Sequence, residues 1–189
     1  NVRIPTAQEI LGVNRKVHTA EHLASAMFYL GAKRQPIPRA RLFVERRYAA
    51  RPYAVLHPFA ATPEKTWPAE RFLEVAEHLE ARHGLEPVFL AGPEDDVRPF
   101  ARFRTLAGAP LRESKALLEG ASVFIGNDSG PAHVAAAFGV PVVVMFGPSD
   151  PIVWAPWQTE GEVLTGGGDM RGITLDQVFH AIDQLGVPR

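Results

Sequence analysis

The sequence contains no cysteine. A disulfide framework, a thiolate metal site and a cysteine nucleophile are therefore excluded, and the chain is suited to a reducing cytoplasm. Net charge is also nearly absent: 20 Lys and Arg oppose 21 Asp and Glu. No global field draws nucleic acid or an anionic membrane to the surface. No apolar run approaches the roughly 20 residues of a membrane-spanning helix. The N-terminus starts at Asn1 and shows no basic stretch leading into the apolar core of a signal peptide. Several catalytic signatures are lacking as well. No G-x-G-x-x-G follows the first strand pattern, and Gly166-Gly167-Gly168 does not run into a helix that begins with Lys-Ser/Thr. Ser129 sits one place late for the hydrolase elbow G-x-S-x-G. A dinucleotide oxidoreductase, a P-loop NTPase and a serine hydrolase are disfavoured on these grounds. The run from His18 to His22 does match the zinc-protease pattern H-x-x-E-H, but no third ligand follows at a recognisable spacing. A polar helix face is the simpler reading, and no metal site is expected.

With 189 residues, 46% of them hydrophobic, the chain can build one domain with a full core. The first stretch predicts one helix, capped by Thr19, with Leu23, Met27 and Leu30 at helical spacing and Gly31 as its stop. Residues 35–52 are rich in Pro and Arg (Arg39, Arg41, Arg46, Arg47 and Arg51 among them) and read as a linker with a short extended piece at 42–44. A regular alternation follows. Strands are expected at 53–57, 87–91, 105–107, 122–126, 142–146 and 162–164. Helices are expected from Trp67-Pro68 to Gly84, over 94–103, 112–119, 131–138 and 175–185. The first of these carries Phe72, Val75, Ala76 and Leu79 on one face. Strands that are apolar throughout, alternating with helices, specify an α/β fold, a Rossmann-like doubly wound parallel sheet. The division expected is 1–52 as the end of a preceding domain and a linker, and 53–189 as the Rossmann-like domain.

In such a sheet, ligands sit beyond the carboxyl ends of the strands, so the loops that follow the strands hold the candidates. After the fourth strand comes Asn127-Asp128-Ser129-Gly130-Pro131, then His133. Ser129 suits an N-cap and Pro131 the first turn. Gly130 permits close approach of a ligand to the backbone, and the free amides of the helix start attract an anion. Asp128 and His133 add a hydroxyl acceptor and a phosphate donor. An ordinary capped turn would use the same residues only to satisfy its own backbone. The loop after the first strand holds Thr62 and Lys65, the latter able to reach a diphosphate or simply solvated. Trp67 there reads as a helix anchor. Glu94, after the second strand, is placed to accept from ribose hydroxyls, or to sit as a carboxylate against a helix dipole. Ser149 and Asp150 follow the fifth strand in a turn that suits both residues.

Together these loops resemble glycosyltransferase family 9, the lipopolysaccharide heptosyltransferases. The resemblance rests on Lys65-Thr66-Trp67-Pro68, on Asp128-Ser129-Gly130 followed by His133, and on Gly147-Pro148-Ser149-Asp150-Pro151. Phe59, Ala60 and Ala61 depart from the family pattern, which favours Gly and hydroxyl residues there. The resemblance implies the C-terminal, donor-binding half of a GT-B enzyme acting on ADP-heptose or a related nucleotide-sugar. Lys65 and His133 would meet the phosphates or the sugar, Ser129 and Gly130 the diphosphate, Asp128 the sugar hydroxyls and Glu94 the ribose. Thr62 and Ser149 are weaker candidates. No catalytic residue is expected in this chain, because the family's base lies in an N-terminal acceptor domain. The resemblance further implies a glycolipid acceptor, metal independence, no nucleic-acid partner, and a cytoplasmic setting, in peripheral contact with the inner face of the inner membrane. A nucleotide-sugar epimerase-like domain and a non-catalytic nucleotide-binding relative are the alternatives.

Overall fold

In the computed structural model, residues 3–45 and 51–186 are described; Arg46 and Arg47 of the basic linker lie outside them. Six strands form one sheet: β1 (Tyr53–His57), β2 (Glu86–Ala91), β3 (Arg104–Ala107), β4 (Val123–Asn127), β5 (Val142–Phe146) and β6 (Gly161–Thr165). Their spatial order is β3-β2-β1-β4-β5-β6, and every pairing is parallel. This is the doubly wound order, with its reversal between β1 and β4.

The period of two in each strand assigns the faces. Leu56, Phe89, Ile125 and Met145 point to one side, where α3 (Ala69–His78) and α7 (Leu175–Gln184) cover them. Val55, Val88, Phe124 and Val144 point to the other, under α4 (Leu111–Glu119) and α5 (Gly130–Phe138). Burial on both faces explains why β1, β4 and β5 read as unbroken apolar runs. The face of α3 predicted to be apolar is the one that packs: Phe72, Val75, Ala76 and Leu79 are fully buried.

Before the sheet lie α1 (Ala7–Leu11) and α2 (Thr19–Tyr29); a short helix, α6 (Pro151–Trp154), follows β5. Helix α1 is not evident in the apolar spacing; its mark is a capping box between Thr6 and Glu9. The N-cap of α2 is His18, not Thr19. His18 Nδ1 accepts from the Ala20 amide, so Nε2 carries the proton and donates to the Ala155 carbonyl at 2.7 Å. Both ring nitrogens are thus committed, which removes the H-x-x-E-H zinc reading. Glu21 closes the capping box and pairs with Arg15, which holds its carboxyl down at about 2.

Three further expectations change. Leu23, Met27 and Leu30 are 65%, 57% and 77% exposed; among the described residues nothing covers them, and α2 instead buries Ser25. Residues 42–44 form no strand and pair with neither edge strand of the sheet, β3 or β6. Residues 94–103 form no α-helix, only a 3-10 turn at Arg98–Phe100. There the Asp95 carboxylate accepts from the Gly92 amide and Asp96 accepts from the Arg98 amide. These local bonds compete with a helix that Pro99 would already interrupt.

Phe72 is fully buried and meets Trp67 edge-on at 5.2 Å. Phe72→Ala should lower unfolding stability by about 3–5 kcal/mol. Denaturant titration measures this, with the slope of the transition unchanged.

Candidate functional site

A cavity of about 740 Å³ opens over the carboxyl ends of the central strands, within the size range of small-molecule sites. It straddles the reversal of strand order. One wall comes from the loop after β1, with Phe59, Ala60, Ala61 and Lys65; another comes from the start of α5, with Asp128, Ser129 and Gly130.

The lysine is placed by its loop rather than by its own bonds. Residues Pro63–Lys65 form a 3-10 turn, and the Thr66 hydroxyl donates to the Thr62 carbonyl. The Trp67 amide donates to Asn127 Oδ1 at 3.1 Å, and the Trp67 indole donates to the Ile173 carbonyl. Trp67 is fully buried, an anchor as the sequence reading held. Gly147 completes the clamp: a Cβ there would lie 2.7 Å from the Glu64 carbonyl. The glycine of Gly147-Pro148-Ser149-Asp150 thus lets the lysine loop lie across the end of β5. As a result Lys65 Nζ stands 3.3 Å from Asp128 Oδ2, with the two side chains 33% and 12% exposed.

Ser129 occupies the N-cap position of α5 in extended conformation, yet its hydroxyl makes no capping bond. Among the described residues the oxygen is buried without a hydrogen-bond partner, as is Asn127 Nδ2. Gly130 follows with open space where a side chain would project. In the first turn of α5 Pro131 has no N–H and the Ala132 amide donates to the Ser129 carbonyl, which leaves the Gly130 amide as the open donor near the Lys65 ammonium group.

The opposite wall is apolar, made by Leu90, Pro93, Leu111, Leu118 and Val134. His57 forms part of the floor. It donates from Nδ1 to the Leu90 carbonyl at 2.8 Å, and burial pushes its pKa down against the opposing pull of that bond and of Asp95. The neutral ring offers Nε2 as an acceptor.

Of the residues singled out in the sequence, Lys65, Asp128, Ser129 and Gly130 come together. Four others do not line this cavity. His133 is exposed on the next part of α5. The protein packed around its ring lowers its pKa, Asp128 opposes that, and His18 adds to it. Glu94 is exposed, while its neighbour Asp95 lines the cavity. Thr62 faces an adjoining depression with Asp169 and Arg171. Ser149 is partly buried outside the lining, and Asp150 is occupied in capping α6 and pairing with Lys16 at 2.6 Å. Sequence reasoning missed the wall from Gly108 to Lys115. Its signal was available, since that loop follows β3 and must lie on the same sheet edge.

The fold and cavity define a Rossmann-type domain with a crevice at its topological switch point. The family model of glycosyltransferase family 9 (heptosyltransferase) matches residues 7–170, and the chain belongs to that family. Lipopolysaccharide heptosyltransferase 3 of Escherichia coli is 37% identical over 137 residues, 66% of this chain and 40% of that protein. Among solved structures, the family 9 glycosyltransferase of Veillonella parvula DSM 2008 is 25% identical with a TM-score of 0.78, covering 91% of this chain and 61% of that one. E. coli ADP-heptose LPS heptosyltransferase II is 26% identical with a TM-score of 0.70, covering 81% and 55%. The chain thus spans less than half of its curated relative and somewhat over half of these structures.

At an ordinary Ser N-cap, replacement by Ala costs about 1 kcal/mol. Here the hydroxyl is buried and makes no bond, so Ser129→Ala should leave stability unchanged or raise it by up to about 1 kcal/mol. Equilibrium unfolding of the two proteins decides this.

Proposed function

We propose that this chain supplies the nucleotide-sugar-binding half of a heptosyltransferase, with residues 53–189 forming the donor domain and 1–52 the end of an acceptor domain and its linker. The observation that carries the reading is the Lys65 ammonium, held beside Asp128 at the start of α5, where the Ser129 hydroxyl lacks a partner and Gly130 leaves the backbone open. A diphosphate seated there accepts from the Gly130 amide, from Ser129 Oγ and from Lys65. The apolar wall takes the base. Asp128 reaches the sugar hydroxyls once Lys65 turns to the phosphates. Asp95, inside the cavity, is better placed for the ribose than Glu94. His133 adds a contact from the rim, with Thr62 and Ser149 further out.

The chemistry is inverting displacement at the anomeric carbon of an ADP-sugar, ADP-heptose by likeness to the relative whose name carries that donor. As the bond to the departing diphosphate breaks, negative charge grows on its oxygens. Lys65 and the Gly130 amide stabilise that charge without a metal ion. Two carboxylates line the cavity, and both are engaged: Asp128 with Lys65, Asp95 with the Gly92 amide. By likeness to the family, the base that activates the acceptor comes from the acceptor side of the enzyme. The acceptor is a glycolipid of the lipopolysaccharide core, met at the cytoplasmic face of the inner membrane. Among the described residues no helix is long and apolar enough to cross a membrane, which fits peripheral contact.

Calorimetric titration with ADP, UDP and GDP tests the reading. ADP should bind in preference to both. Lys65→Ala should weaken ADP binding about tenfold or more, since a charge-assisted bond contributes about 1.5–3 kcal/mol. Gly130→Val should abolish binding, because its Cβ projects into space that no protein atom fills within 4 Å. Preference for UDP would favour an epimerase-like domain, and no nucleotide binding at all a non-catalytic relative. Sugar transfer by this segment alone would contradict the placement of the base.

A further inference from the structure

At the other edge of the sheet, α3 departs from regular geometry. It continues into a π-turn, Leu79–His83, closed by Gly84, whose amide donates to the Leu79 carbonyl five residues back. In an α-helix, residues five apart point about 140° away from each other. A π-turn closes at i→i+5 and brings them nearly into line. The irregularity therefore sets His78 and His83 side by side, with ring centroids 5.5 Å apart. Helix α7 packs along α3 and delivers Asp183 to the same place, its Oδ1 3.4 Å from His83 Nε2. One nitrogen of each imidazole and one Asp183 oxygen all lie within 4.8 Å of one another. With Arg82 they line a cavity of about 340 Å³.

Burial gives the cluster its meaning. The His83 side chain is 3% exposed, and neither of its ring nitrogens has a hydrogen-bond partner; His78 Nε2 also lacks one. An unsatisfied buried polar group costs about 1–3 kcal/mol, and native proteins rarely leave several together without a ligand. The His83–Asp183 separation also has a natural explanation. Zinc binds imidazole and carboxylate at about 2.0–2.1 Å, so the edge of its tetrahedron is about 3.3–3.4 Å long; ligand atoms spread over as much as 4.8 Å draw together by side-chain rotation to share the ion. His78 is oriented in advance by stacking on Phe179, with centroids 4.1 Å apart and planes 10° from parallel. Asp183 is 54% exposed and leaves a path for entry.

We propose that His78, His83 and Asp183 bind a divalent first-row transition-metal ion, Zn²⁺ in the first instance, with water in the fourth position. Two imidazoles and one carboxylate suit the borderline character of such ions. The ion pins the end of α3 to the end of α7. Both helices run back from the carboxyl edge of the sheet, so the site lies about 20 Å from the start of α3, at 1.5 Å per residue. It takes no part in sugar transfer and does not depend on the donor reading. Arg82 at the rim opposes the ion's charge but is exposed and screened by salt.

The test uses the chain freed of any polyhistidine tag, titrated with Co²⁺ and Zn²⁺. One equivalent should bind. Co²⁺ should give the visible absorption of a four- or five-coordinate site, and Zn²⁺ should raise the melting temperature as its concentration increases. Asp183→Asn and His78→Gln should each weaken binding by at least about tenfold, with ADP affinity unchanged. Because His83 is buried, His83→Gln is informative only if its circular dichroism matches the parent's, and the Asp183 variant stands without it. Absence of saturable binding overturns the proposal. So does an affinity that neither Asp183→Asn nor His78→Gln alters, which would move the ion to His22 or His133.

Discussion

The hydrogen bond from the Trp67 amide to the Asn127 carboxamide joins the two loops on which the cavity rests. Asn127 is the last residue of β4 and fully buried; Trp67 lies just before α3 and is also fully buried. In a doubly wound sheet, the chains leaving β1 and β4 diverge to opposite faces, and that divergence opens the crevice. Without a tie across it, the loop after β1 would be an exposed connection free to swing away. Asn127 holds the root of that loop at 3.1 Å, and Gly147 lets its crown settle onto the end of β5. Lys65 is consequently fixed opposite Asp128 by backbone constraints, although its own side chain makes a single exposed-side ion pair of modest strength.

This division between constraint and contact explains the appearance of the three matched motifs. In Lys65-Thr66-Trp67-Pro68, the tryptophan is buried as an anchor and the lysine lines the cavity. In Gly147-Pro148-Ser149-Asp150-Pro151, the glycine provides clearance, and Asp150 caps α6 while holding Lys16. Only Asp128-Ser129-Gly130 presents itself wholly to the cavity. Each motif thus mixes residues that line the cavity with residues that hold the loops in place, and spacing alone does not separate the two.

What the sequence made legible follows the same line. Strands β1, β4 and β5 were readable because burial on both faces demands apolar residues throughout, and α3 because Phe72, Val75, Ala76 and Leu79 recur on one face. The carboxyl-edge rule then found Lys65 and Asp128 without any knowledge of their separation. Illegible features depended on partners distant in the chain or on single local bonds. Lys16 occupies Asp150 across 134 positions. Asp95 turns inward where Glu94 does not, and what distinguishes them is one bond to the Gly92 amide. Leu23, Met27 and Leu30 have the spacing of a packed face, but spacing reports what a helix can bury, not whether a neighbour is present to cover it.

The π-turn shows the same limit from the other direction. Nothing in Leu79-Glu80-Ala81-Arg82-His83 forbids ordinary α-helix, and an α-helical continuation would bury the same leucine. A π-turn gives up regular helical hydrogen bonding and persists when its surroundings favour the wider geometry. Packing of His78 on Phe179 contributes to that, but it leaves the His83 nitrogens unsatisfied. A distortion that gathers buried polar atoms without pairing them raises the energy of the bare chain on two counts. Coordination of a cation would offset both, since it supplies the imidazoles with a partner and fixes the geometry that brings them together. The two edges of the sheet share one feature: among the described residues, Ser129 Oγ and Asn127 Nδ2 are buried without partners at the carboxyl edge, and the His83 ring nitrogens at the amino edge.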